Sequence, residues 1–429
     1  MLSSGAPLSD WLTWLETLSP KEIDLGLERV QVLLERLGLQ SPQHLLLVAG
    51  TNGKGSSVAM ADALLRALGK RVGAYTSPHI HRYNERIVVH GEVASDAQII
   101  AAFEQVEAVR GDVALTYFEY GTLAAAVIFA QAELDVWILE VGLGGRLDAS
   151  NAFMPTASLI TNVSLDHCDW LGNDVETIAA EKAGVMRADL PTVFGDDPAP
   201  KSVCQHADAV NARLLLAGRE FDVAFRADGS WDWRGPSATL KALRVPGLVG
   251  EFQVRNAAAV LALLDAAGLA DNMDAQLVNA VLPSLRLTGR LQRRRVDGVE
   301  WIFDVAHNPA AAQAFAASLA LLEPAGETIA IVGLLADKDV RGMISPLLDA
   351  VDRWIAVTAG NDRAVAANEL ARQIASLSGK PCLVAETFAD AVENARRSAS
   401  ENDRILVTGS FYTVGPVLDE PGTDPLPEI

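Results

Sequence analysis

Short apolar runs alternate with stretches of helical periodicity along this chain of 429 residues. The run at residues 45–49 predicts a buried strand, and a helical pattern over residues 57–68 follows it. Runs at residues 136–141 and 157–163 predict further strands. Because strands that alternate with helices are typical of mostly parallel sheets, we expect an α/β domain in this half of the chain.

A second alternation of strands and helices begins near residue 300. Strand-like runs occur at residues 301–305, 328–335, 354–358 and 404–408. They predict a second, smaller α/β domain with a mostly parallel sheet. Residues 283–292 combine turn dipeptides with a basic tail, as interdomain linkers do. We therefore expect an N-terminal domain at 1–286, a linker at 287–296 and a C-terminal domain at 297–429.

The segment before the first strand predicts one helix. Residues 19–22, Ser-Pro-Lys-Glu, resemble a capping box with proline at the first helical position. Apolar residues follow from Ile23 to Leu37 at roughly helical spacing, and Gly38 is a plausible stop. The pattern alone describes a packing helix. Residues 191–246, in contrast, are turn-rich and contain no pattern that suggests a catalytic or binding site.

The first strand leads into V-A-G-T-N-G-K-G-S-S at residues 48–57. A glycine loop between a strand and a helix N-terminus gathers backbone N–H groups around phosphate. Lys54 can add a positive charge, and Ser56 a hydroxyl ligand for a metal ion. The match to G-x-x-x-x-G-K-[ST] is imperfect, since Val48 occupies the place of the first glycine. An ordinary strand-to-helix turn is the alternative.

Polar groups mark the ends of several predicted strands. Glu140 lies near the end of a buried-type strand, where a carboxylate is costly unless it is paired or bound to metal. Ligands of open α/β sheets bind beyond the carboxyl ends of the strands, so we interpret Glu140 as a magnesium-directed carboxylate. His167 follows the next strand, and a structural histidine is the alternative there. Residues 77–86 form a polar loop rich in metal- and phosphate-binding groups, although a solvated loop would look similar.

Composition limits the partners of the protein. Its formal net charge of −20 argues against nucleic acid and anionic membranes as partners. No apolar run approaches the ~20 residues of a membrane span, and no N-terminal signal is evident. Cys168, Cys204 and Cys382 are widely spaced, which suggests neither a disulfide framework nor a zinc site. We expect a cytoplasmic protein.

The combined motifs resemble those of folylpolyglutamate synthases, particularly the bacterial bifunctional enzymes that are also dihydrofolate synthases. That family is related to the Mur amino-acid ligases. The resemblance rests on several motifs in one order: G-T-N-G-K-G-S, S-P-H-x-x-R-Y-N-E-R, E-V-G-L-G-G-R-L-D-A, L-D-H-x-D-W-L-G, E-K-A-G, T-G-R-L-Q, D-V-A-H-N-P and G-S-F-Y-T-V-G. It implies a P-loop-type, Mur ligase-like N-terminal ATPase domain with a mostly parallel sheet. A smaller Rossmann-like α/β domain, the glutamate-ligase domain, follows.

The resemblance also implies ATP-dependent amide formation. The carboxylate of dihydropteroate, or of the terminal glutamate of a reduced folate, attacks the γ-phosphate of ATP to give an acyl phosphate. The amine of L-glutamate then displaces phosphate. Such chemistry needs charge neutralisation and alignment of two anions more than it needs a strong base. ATP is thus the co-substrate, and Mg²⁺ is expected at two sites.

Site residues carry over from the family position by position. The implied ATP contacts are Thr51, Asn52, Gly53, Lys54, Gly55, Ser56, Asn256, Arg290, Asp304 and His307. Ser77, Glu140 and His167 match the magnesium ligands, with Ser56 as a further candidate. Lys54, Glu140, His167 and Lys182 are the implied catalytic residues, and Lys182 matches a lysine that the family carbamylates. The implied pteroate contacts are Asp24 and Leu25 on the first helix, Thr116, Tyr117, Phe118, Glu119, Leu147, Asp148 and Ala149, with Phe118 as the stacking platform.

Two positions depart from the family pattern, and other functions remain open. Val305 stands where the family usually has glycine, and His81 is unexpected in its loop. A monofunctional folylpolyglutamate synthase is one alternative. A Mur-type peptidoglycan ligase is another, although about fifty residues before Lys54 are too few for its extra domain. A non-catalytic ATP-binding protein would be a third. We expect a monomer that acts on small molecules.

Overall fold

A computed structural model of the chain describes residues 5–19 and 23–420. The helices in these residues are α1 (Leu8–Leu18), α2 (Glu28–Leu37), α3 (Lys54–Ala67), α4 (Asp96–Arg110), α5 (Tyr117–Gln131), α6 (Cys168–Leu171), α7 (Val175–Ala183), α8 (Lys201–Val210), α9 (Glu251–Ala266), α10 (Ala275–Val281), α11 (Pro309–Leu319), α12 (Val340–Ile344), α13 (Ala367–Ser378), α14 (Phe388–Ser398) and α15 (Phe411–Asp419). The strands are β1 (His44–Ala49), β2 (Val72–Tyr75), β3 (Ile87–Val89), β4 (Glu92–Val93), β5 (Val136–Glu140), β6 (Ala157–Ile160), β7 (Pro191–Phe194), β8 (Arg213–Leu216), β9 (Asp222–Phe225), β10 (Trp231–Arg234), β11 (Thr239–Leu243), β12 (Gln292–Val296), β13 (Val299–Asp304), β14 (Thr328–Val332), β15 (Arg353–Ala356), β16 (Cys382–Val384) and β17 (Arg404–Thr408).

The described chain divides into two compact units. The first contains the described residues of Met1–Ser164, Asp169–Val245 and Val254–Ser284, and the second contains those of Leu165–Cys168, Pro246–Gln253 and Leu285–Ile429. Helices α6 and α9 contain residues of both units. Units of this size can each bury a core of their own.

An eight-stranded sheet organises the first unit, in the order β4-β3-β2-β5-β1-β6-β7-β8. Strand β1 lies inside it, parallel to β5 on one side and to β6 on the other. Residues 45–49 are all buried, as expected of a strand covered on both faces. The carboxyl ends of β5, β1 and β6 therefore meet at one edge, and the segments that follow them supply the polar residues of the site.

The second unit has a six-stranded sheet in the order β12-β13-β17-β14-β15-β16. Strand β12 is antiparallel to β13, and the remaining neighbours are parallel. Strands β13, β17 and β14 are consecutive, so the segments after them lie at one edge. Their core includes Ile302, Phe315 and Leu406. Both sheets confirm the mostly parallel α/β architecture expected from the sequence.

The first helix of the sequence prediction is wrong in its start. Helix α2 begins at Glu28, and residues 23–27 are irregular, so Asp24 and Leu25 do not lie on a helix. Gly26 lies in this segment and donates its N–H to the Leu147 carbonyl (3.2 Å), which replaces a helical bond. Of the predicted capping box, Ser19 is the C-cap of α1, a helix the pattern did not reveal, and residues 20–22 lie outside the described residues. Gly38 closes α2 in the left-handed conformation, as predicted.

The structure differs from the sequence prediction in other segments as well. Residues 191–246 are ordered, because β7 and β8 extend the large sheet and β9 to β11 form a three-stranded sheet of their own. The buried indoles of Trp231 and Trp233 give that sheet its core, which outweighs the turn-rich composition. Helix α5 begins at Tyr117, so Phe118 and Glu119 lie in its first turn. The second half of the expected linker, 292–296, forms β12.

None of the helices in the described ranges is long and apolar enough to span a lipid bilayer.

Candidate active site

The glycine loop folds as a phosphate-binding loop between β1 and α3. Gly53 precedes α3 with φ +83°, and Gly50 follows β1 with φ +143°. A Cβ on Gly53 would lie 2.7 Å from Nδ2 of Asn256, and one on Gly50 would lie 1.8 Å from Oγ1 of Thr161. Only glycine fits both the backbone conformation and the space. The loop thus presents backbone N–H groups and a helix N-terminus to an anion.

Side chains from the segment after β6 hold the loop in shape. Asn162 accepts the N–H of Asn52 on Oδ1 (3.1 Å) and donates from Nδ2 to the carbonyl of the same residue (2.9 Å). Thr161 donates to that carbonyl as well (2.7 Å). Thr51 accepts the N–H of Ser164 on its hydroxyl (3.0 Å). Sequence reasoning missed Thr161, Asn162 and Ser164, and T-N-V-S directly after a buried strand was the available signal.

Two lysines converge on the start of the loop. Lys54 donates to the carbonyls of Gly50 and Thr51, both at 3.2 Å. Lys182, near the end of α7, is buried and donates to the Gly50 carbonyl at 3.0 Å. Gly145 permits this approach, since a Cβ there would lie 3.1 Å from the Cα of Lys182. The geometry concentrates positive charge where the loop would hold phosphate.

Glu140 ends β5 beside the loop. Its buried carboxylate accepts the N–H of Ser77 on Oε2 (3.0 Å). A Cβ on Gly55 would lie 3.7 and 4.0 Å from the two carboxylate oxygens, which places Glu140 against the first turn of α3. Ser56, in the same turn, is buried. The structure therefore brings together Lys54, Ser56, Ser77, Glu140 and Lys182, within the first unit.

These donors suit a magnesium ion. Mg²⁺ takes oxygen ligands, uses one or two carboxylates and keeps waters or substrate phosphates as the rest of its shell. Glu140 and Ser77 offer that chemistry beside the phosphate loop. No three histidine, cysteine, aspartate or glutamate side chains group as a metal site in residues 5–19 and 23–420. His167, the third expected ligand, belongs to the second unit.

An aromatic platform lies beyond the Gly142 loop. The half-buried ring of Phe118 fits against Gly142, where a Cβ would lie 2.6 Å from the ring. Its centroid is 5.9 Å from that of Tyr75. The guanidinium of buried Arg86 lies over the ring of Tyr117, 5.5 Å from the ring centroid. A flat heterocycle can stack on such a surface.

Hydrogen bonds and ion pairs connect several of the residues expected to contact pteroate. Thr116 and Glu119 form a capping box at the start of α5, with bonds of 3.2 and 2.8 Å. Arg29 joins Glu119 (2.9 Å) to Asp24 (2.9 Å). Leu25 is half-buried beside Asp24. Arg29 was missed by sequence reasoning, and nothing in its helical position distinguishes it.

Asp148 anchors the loop that carries Leu147 and Ala149. Its carboxylate accepts the N–H groups of Leu143 and Ser150, both at 2.9 Å. Burial raises the pKa of Asp148 to about 6, although these backbone N–H groups act in the opposite direction. Asp148 is therefore an internal support whose neighbours Leu147, half-buried, and Ala149, buried, flank it.

The second unit gathers the other expected nucleotide residues. Asp304 accepts the N–H groups of Leu291 and Ala306, both at 2.9 Å, and burial raises its pKa despite the nearby charge of Arg290. Arg290 lies over the ring of Phe411 (5.2 Å), and the ring of His307 is 5.9 Å from the same phenyl group. Val305 has no left-handed backbone, so the position accepts a side chain in place of glycine.

Asp166 is a buried carboxylate of the second unit with several bonding partners. Its oxygens lie 2.7 Å from Nζ of Lys338, 2.9 Å from Nδ2 of Asn308 and 3.4 Å from Nε2 of His307. Burial alone would raise the pKa of Asp166, but the hydrogen bond from His307 and the surrounding positive charges hold it well below its usual range. Asp166, Asn308 and Lys338 were not predicted, although D-H and H-N-P each contained one of them.

Comparisons with known proteins show the family of the chain. The Mur ligase middle domain matches residues 48–264, and the Mur ligase glutamate ligase domain matches residues 289–411. The dihydrofolate synthase/folylpolyglutamate synthase of Escherichia coli (strain K12) is 40% identical over 420 residues, which cover 97% of this chain and 96% of that protein. The chain belongs to this family of Mur ligases.

Solved structures of dihydrofolate synthase/folylpolyglutamate synthase relatives share the fold. Escherichia coli FolC in complex with DHPP and ADP has a TM-score of 0.91 and 39% identity, and the match covers 98% of both chains. The bifunctional enzyme of Yersinia pestis complexed with AMPPNP and Mn ion has a TM-score of 0.89 and 39% identity, over 97% of this chain and 98% of that one. The family and the fold class expected from the sequence are confirmed, and the protein is a ligase of this family.

Proposed function

We propose that the protein is a bifunctional ATP-dependent ligase. It joins L-glutamate to dihydropteroate, giving dihydrofolate, and to the terminal glutamate of reduced folates, giving folylpolyglutamates. One observation carries the proposal. The phosphate loop, two lysines and a buried carboxylate meet at the carboxyl ends of adjacent strands, in a chain 40% identical to an enzyme named for both activities.

The first step forms an acyl phosphate. A carboxylate oxygen of the acceptor attacks the γ-phosphorus, the bond to the bridging oxygen breaks, and ADP leaves with its electron pair. Both reactants are anionic, so charge neutralisation and alignment supply the catalysis. Lys54 is our candidate for the γ-phosphate contact, because its present bonds to two loop carbonyls can be exchanged for bonds to phosphate oxygens.

The second step forms the amide. The amine of L-glutamate attacks the acyl carbon, and the tetrahedral intermediate collapses with loss of inorganic phosphate. The glutamate ammonium releases one proton to solvent before attack and a second one as the amide forms, and the departing phosphate takes the electron pair of the broken C–O bond. The pteroate moiety would stack on Phe118 and contact Asp24, Leu25, Thr116, Tyr117, Glu119, Leu147 and Ala149, and Asp148 would support this loop from inside. We propose these residues together as the acceptor site.

The metal and nucleotide residues are part of the same proposal. Ser77, Glu140 and His167 would hold divalent ions at two sites, with Ser56 as a further ligand, and bound Mg²⁺ would neutralise phosphate charge. Asn256, Arg290, Asp304 and His307 would complete the nucleotide contacts. Lys182 would act beside the phosphates, as an ammonium or as a carbamate. We retain the division into an N-terminal domain at 1–286, a linker at 287–296 and a C-terminal domain at 297–429 as a proposal.

A two-acceptor assay tests the function. Purified protein is supplied with ATP, Mg²⁺, radiolabelled L-glutamate and either dihydropteroate or tetrahydrofolate. We expect label in both acceptors, with one ADP released per amide formed. Glu140→Gln is the matched control, because it preserves the shape of the side chain and removes its charge.

The same assay separates the alternatives. Incorporation into tetrahydrofolate alone would identify a monofunctional folylpolyglutamate synthase. Incorporation into neither acceptor would contradict the proposal, and turnover of a nucleotide-sugar acceptor would point to a peptidoglycan ligase instead. Wild-type turnover by Glu140→Gln would remove Glu140 from the metal site.

A further inference from the structure

Lys338 is a buried lysine that the proposed function does not use. It follows β14 in the second unit, and only 6% of its side chain is exposed. Its ammonium lies 2.7 Å from Asp166 and 3.2 Å from Asp337. Burying an ammonium is costly unless carboxylates and hydrogen bonds compensate it. The side chain is therefore fixed in one place, and Asp166 is its nearer partner.

Asp166 connects Lys338 to the next residue, His167, by hydrogen bonds. Its Oδ1 accepts both the ammonium of Lys338 and the backbone N–H of His167, the latter at 2.8 Å. Its Oδ2 accepts Nδ2 of Asn308 at 2.9 Å. A carboxylate held from both sides cannot rotate without breaking one of these bonds. The direction of the His167 N–H is thus tied to the position of Lys338.

His167 has a backbone conformation that needs such support. Its φ is +50°, in the left-handed region, where residues other than glycine are uncommon, although histidine, like asparagine and aspartate, occurs there more often than most. Strained residues persist only where their surroundings determine the conformation, and they cluster at functional sites. Its imidazole is partly exposed, at 39% of the side-chain surface. The strain therefore directs a ring that is accessible to a ligand.

We propose that Lys338 is a positioning residue: by fixing Asp166, it holds His167 in the left-handed conformation and so sets the direction of the His167 imidazole, which the proposed function assigns to a divalent ion. The metal part of this inference rests on the proposed function, whereas the conformational part does not. Direct binding of substrate by Lys338 is disfavoured, because its ammonium is buried and lies against two carboxylates. The pairing acts across 172 positions of the sequence.

Amide exchange at His167 tests the conformational part. Selective ¹⁵N-histidine labelling limits the amide signals to the seven histidines of the chain. In Lys338→Met, we expect the His167 N–H to exchange about 10-fold faster or more, because its acceptor is no longer fixed. Lys380→Met is the matched control, since Lys380 belongs to the same unit but is 41% exposed and 3.9 Å from its carboxylate partner. An unchanged His167 exchange rate in Lys338→Met would overturn the proposal.

Metal binding provides the second readout. Mn²⁺ is titrated by electron paramagnetic resonance in the presence of a non-hydrolysable ATP analogue. Loss of a group that orients a ligand typically weakens metal binding about 10- to 100-fold, and we expect that increase in Kd for Lys338→Met but not for Lys380→Met. An unchanged Kd together with faster exchange would overturn the metal part and leave the conformational part supported.

Two further comparisons keep the test decisive. Lys338→Gln retains an N–H donor and replaces Lys338→Met if the latter does not fold; we expect a smaller increase in exchange. Lys338→Met combined with Asp166→Asn should be no worse than the more severe single variant, whereas additive losses in Kd would show that Lys338 acts independently of Asp166. A wild-type protein that adds no glutamate would refute the proposed function, and the amide exchange would still decide the role of Lys338.

Discussion

Lys54 and Lys182 donate hydrogen bonds to the same backbone oxygen, that of Gly50, at 3.2 and 3.0 Å. One lysine begins α3 directly after the glycine loop, and the other lies 128 positions later near the end of α7. Both ammonium groups therefore approach the loop at the same point. Only Lys54 is half-exposed, and Lys182 is buried. The two positive charges consequently have different access to a ligand.

Lys54→Met should abolish most of the turnover and leave the fold intact. Removal of one group that stabilises developing charge typically costs about 10²–10³ in kcat. The bonds that Lys54 makes to loop carbonyls are partly exposed, so little stability depends on them. Steady-state kinetics and urea unfolding check both statements. Lys201→Met, at an exposed position at the start of α8, is the control and should behave as wild type. Wild-type kcat in Lys54→Met would contradict the assignment.

Lys182 is expected to carry a carbamate in the active protein. Reaction of its amine with CO₂ would replace a buried cation by an anion, and the ammonium of Lys54 on the same carbonyl favours that anion electrostatically. Protein equilibrated with ¹³C-bicarbonate should show a carbamate ¹³C resonance that is absent from Lys182→Arg. The expectation fails if the wild-type protein shows no such signal, or if Lys182→Arg retains it.

Gly53→Ala should damage nucleotide binding beyond its cost in stability. Gly53 and Gly69 have nearly the same φ, +83° and +80°, but only Gly53 lies against a neighbour, Asn256. Gly69→Ala is therefore the matched control. Left-handed backbone costs an alanine about 1–2 kcal/mol, so Gly53→Ala and Gly69→Ala should each lose roughly that amount of unfolding free energy. Gly53→Ala should lose more, and its KM for ATP should rise about tenfold or more through displacement of the loop. Equal KM values for ATP in the two variants would show that the contact with Asn256 is unimportant.

The stability of the protein should depend on pH through Asp148. The pKa of Asp148 rises from 3.8 to about 6 on folding, because its carboxyl group is buried. A raised pKa means that the folded state binds the proton more tightly. The corresponding stabilisation is therefore complete below pH 4 and is lost as the pH rises through about 6.

The comparison with Asp148→Asn isolates this effect, since asparagine does not titrate. Between pH 4 and pH 8, the difference in unfolding free energy between the two proteins should shift by roughly 2–3 kcal/mol in favour of the variant. Urea unfolding at several pH values measures it. A difference that stays constant across this range would mean that Asp148 titrates normally.

The elements that the sequence revealed are those with local signals. A buried run, a glycine loop and a helical pattern predicted β1, the phosphate loop and α3, and the single carboxylate of β5 indicated Glu140. The start of α2 was misplaced because Gly26 bonds to the distant carbonyl of Leu147, and periodicity carries no information on that partner. The small sheet around Trp231 was missed because burial outweighed the turn-rich composition.

Much of the site depends on pairings between distant positions. Lys338 and Asp166 are 172 residues apart, and a lysine after a strand looks like any surface lysine until its partner is known. Arg29 and Glu119 are 90 residues apart and give no local signal either. Family resemblance carried over residues that contact ligands, but the residues that support them became visible only in three dimensions.

The enclosed position of β1 has an evolutionary consequence. Val48 is paired with Glu140 on one side and with Leu159 on the other. Consecutive side chains of a strand point to opposite faces of the sheet. Gaining or losing one residue within β1 would therefore move the side chains beyond that point to the wrong face and displace the phosphate loop that follows. The spacing from His44 to Lys54 should consequently be identical in every functional descendant of this gene, whereas the turn at Gly229, whose tip is open to solvent, can tolerate changes in length.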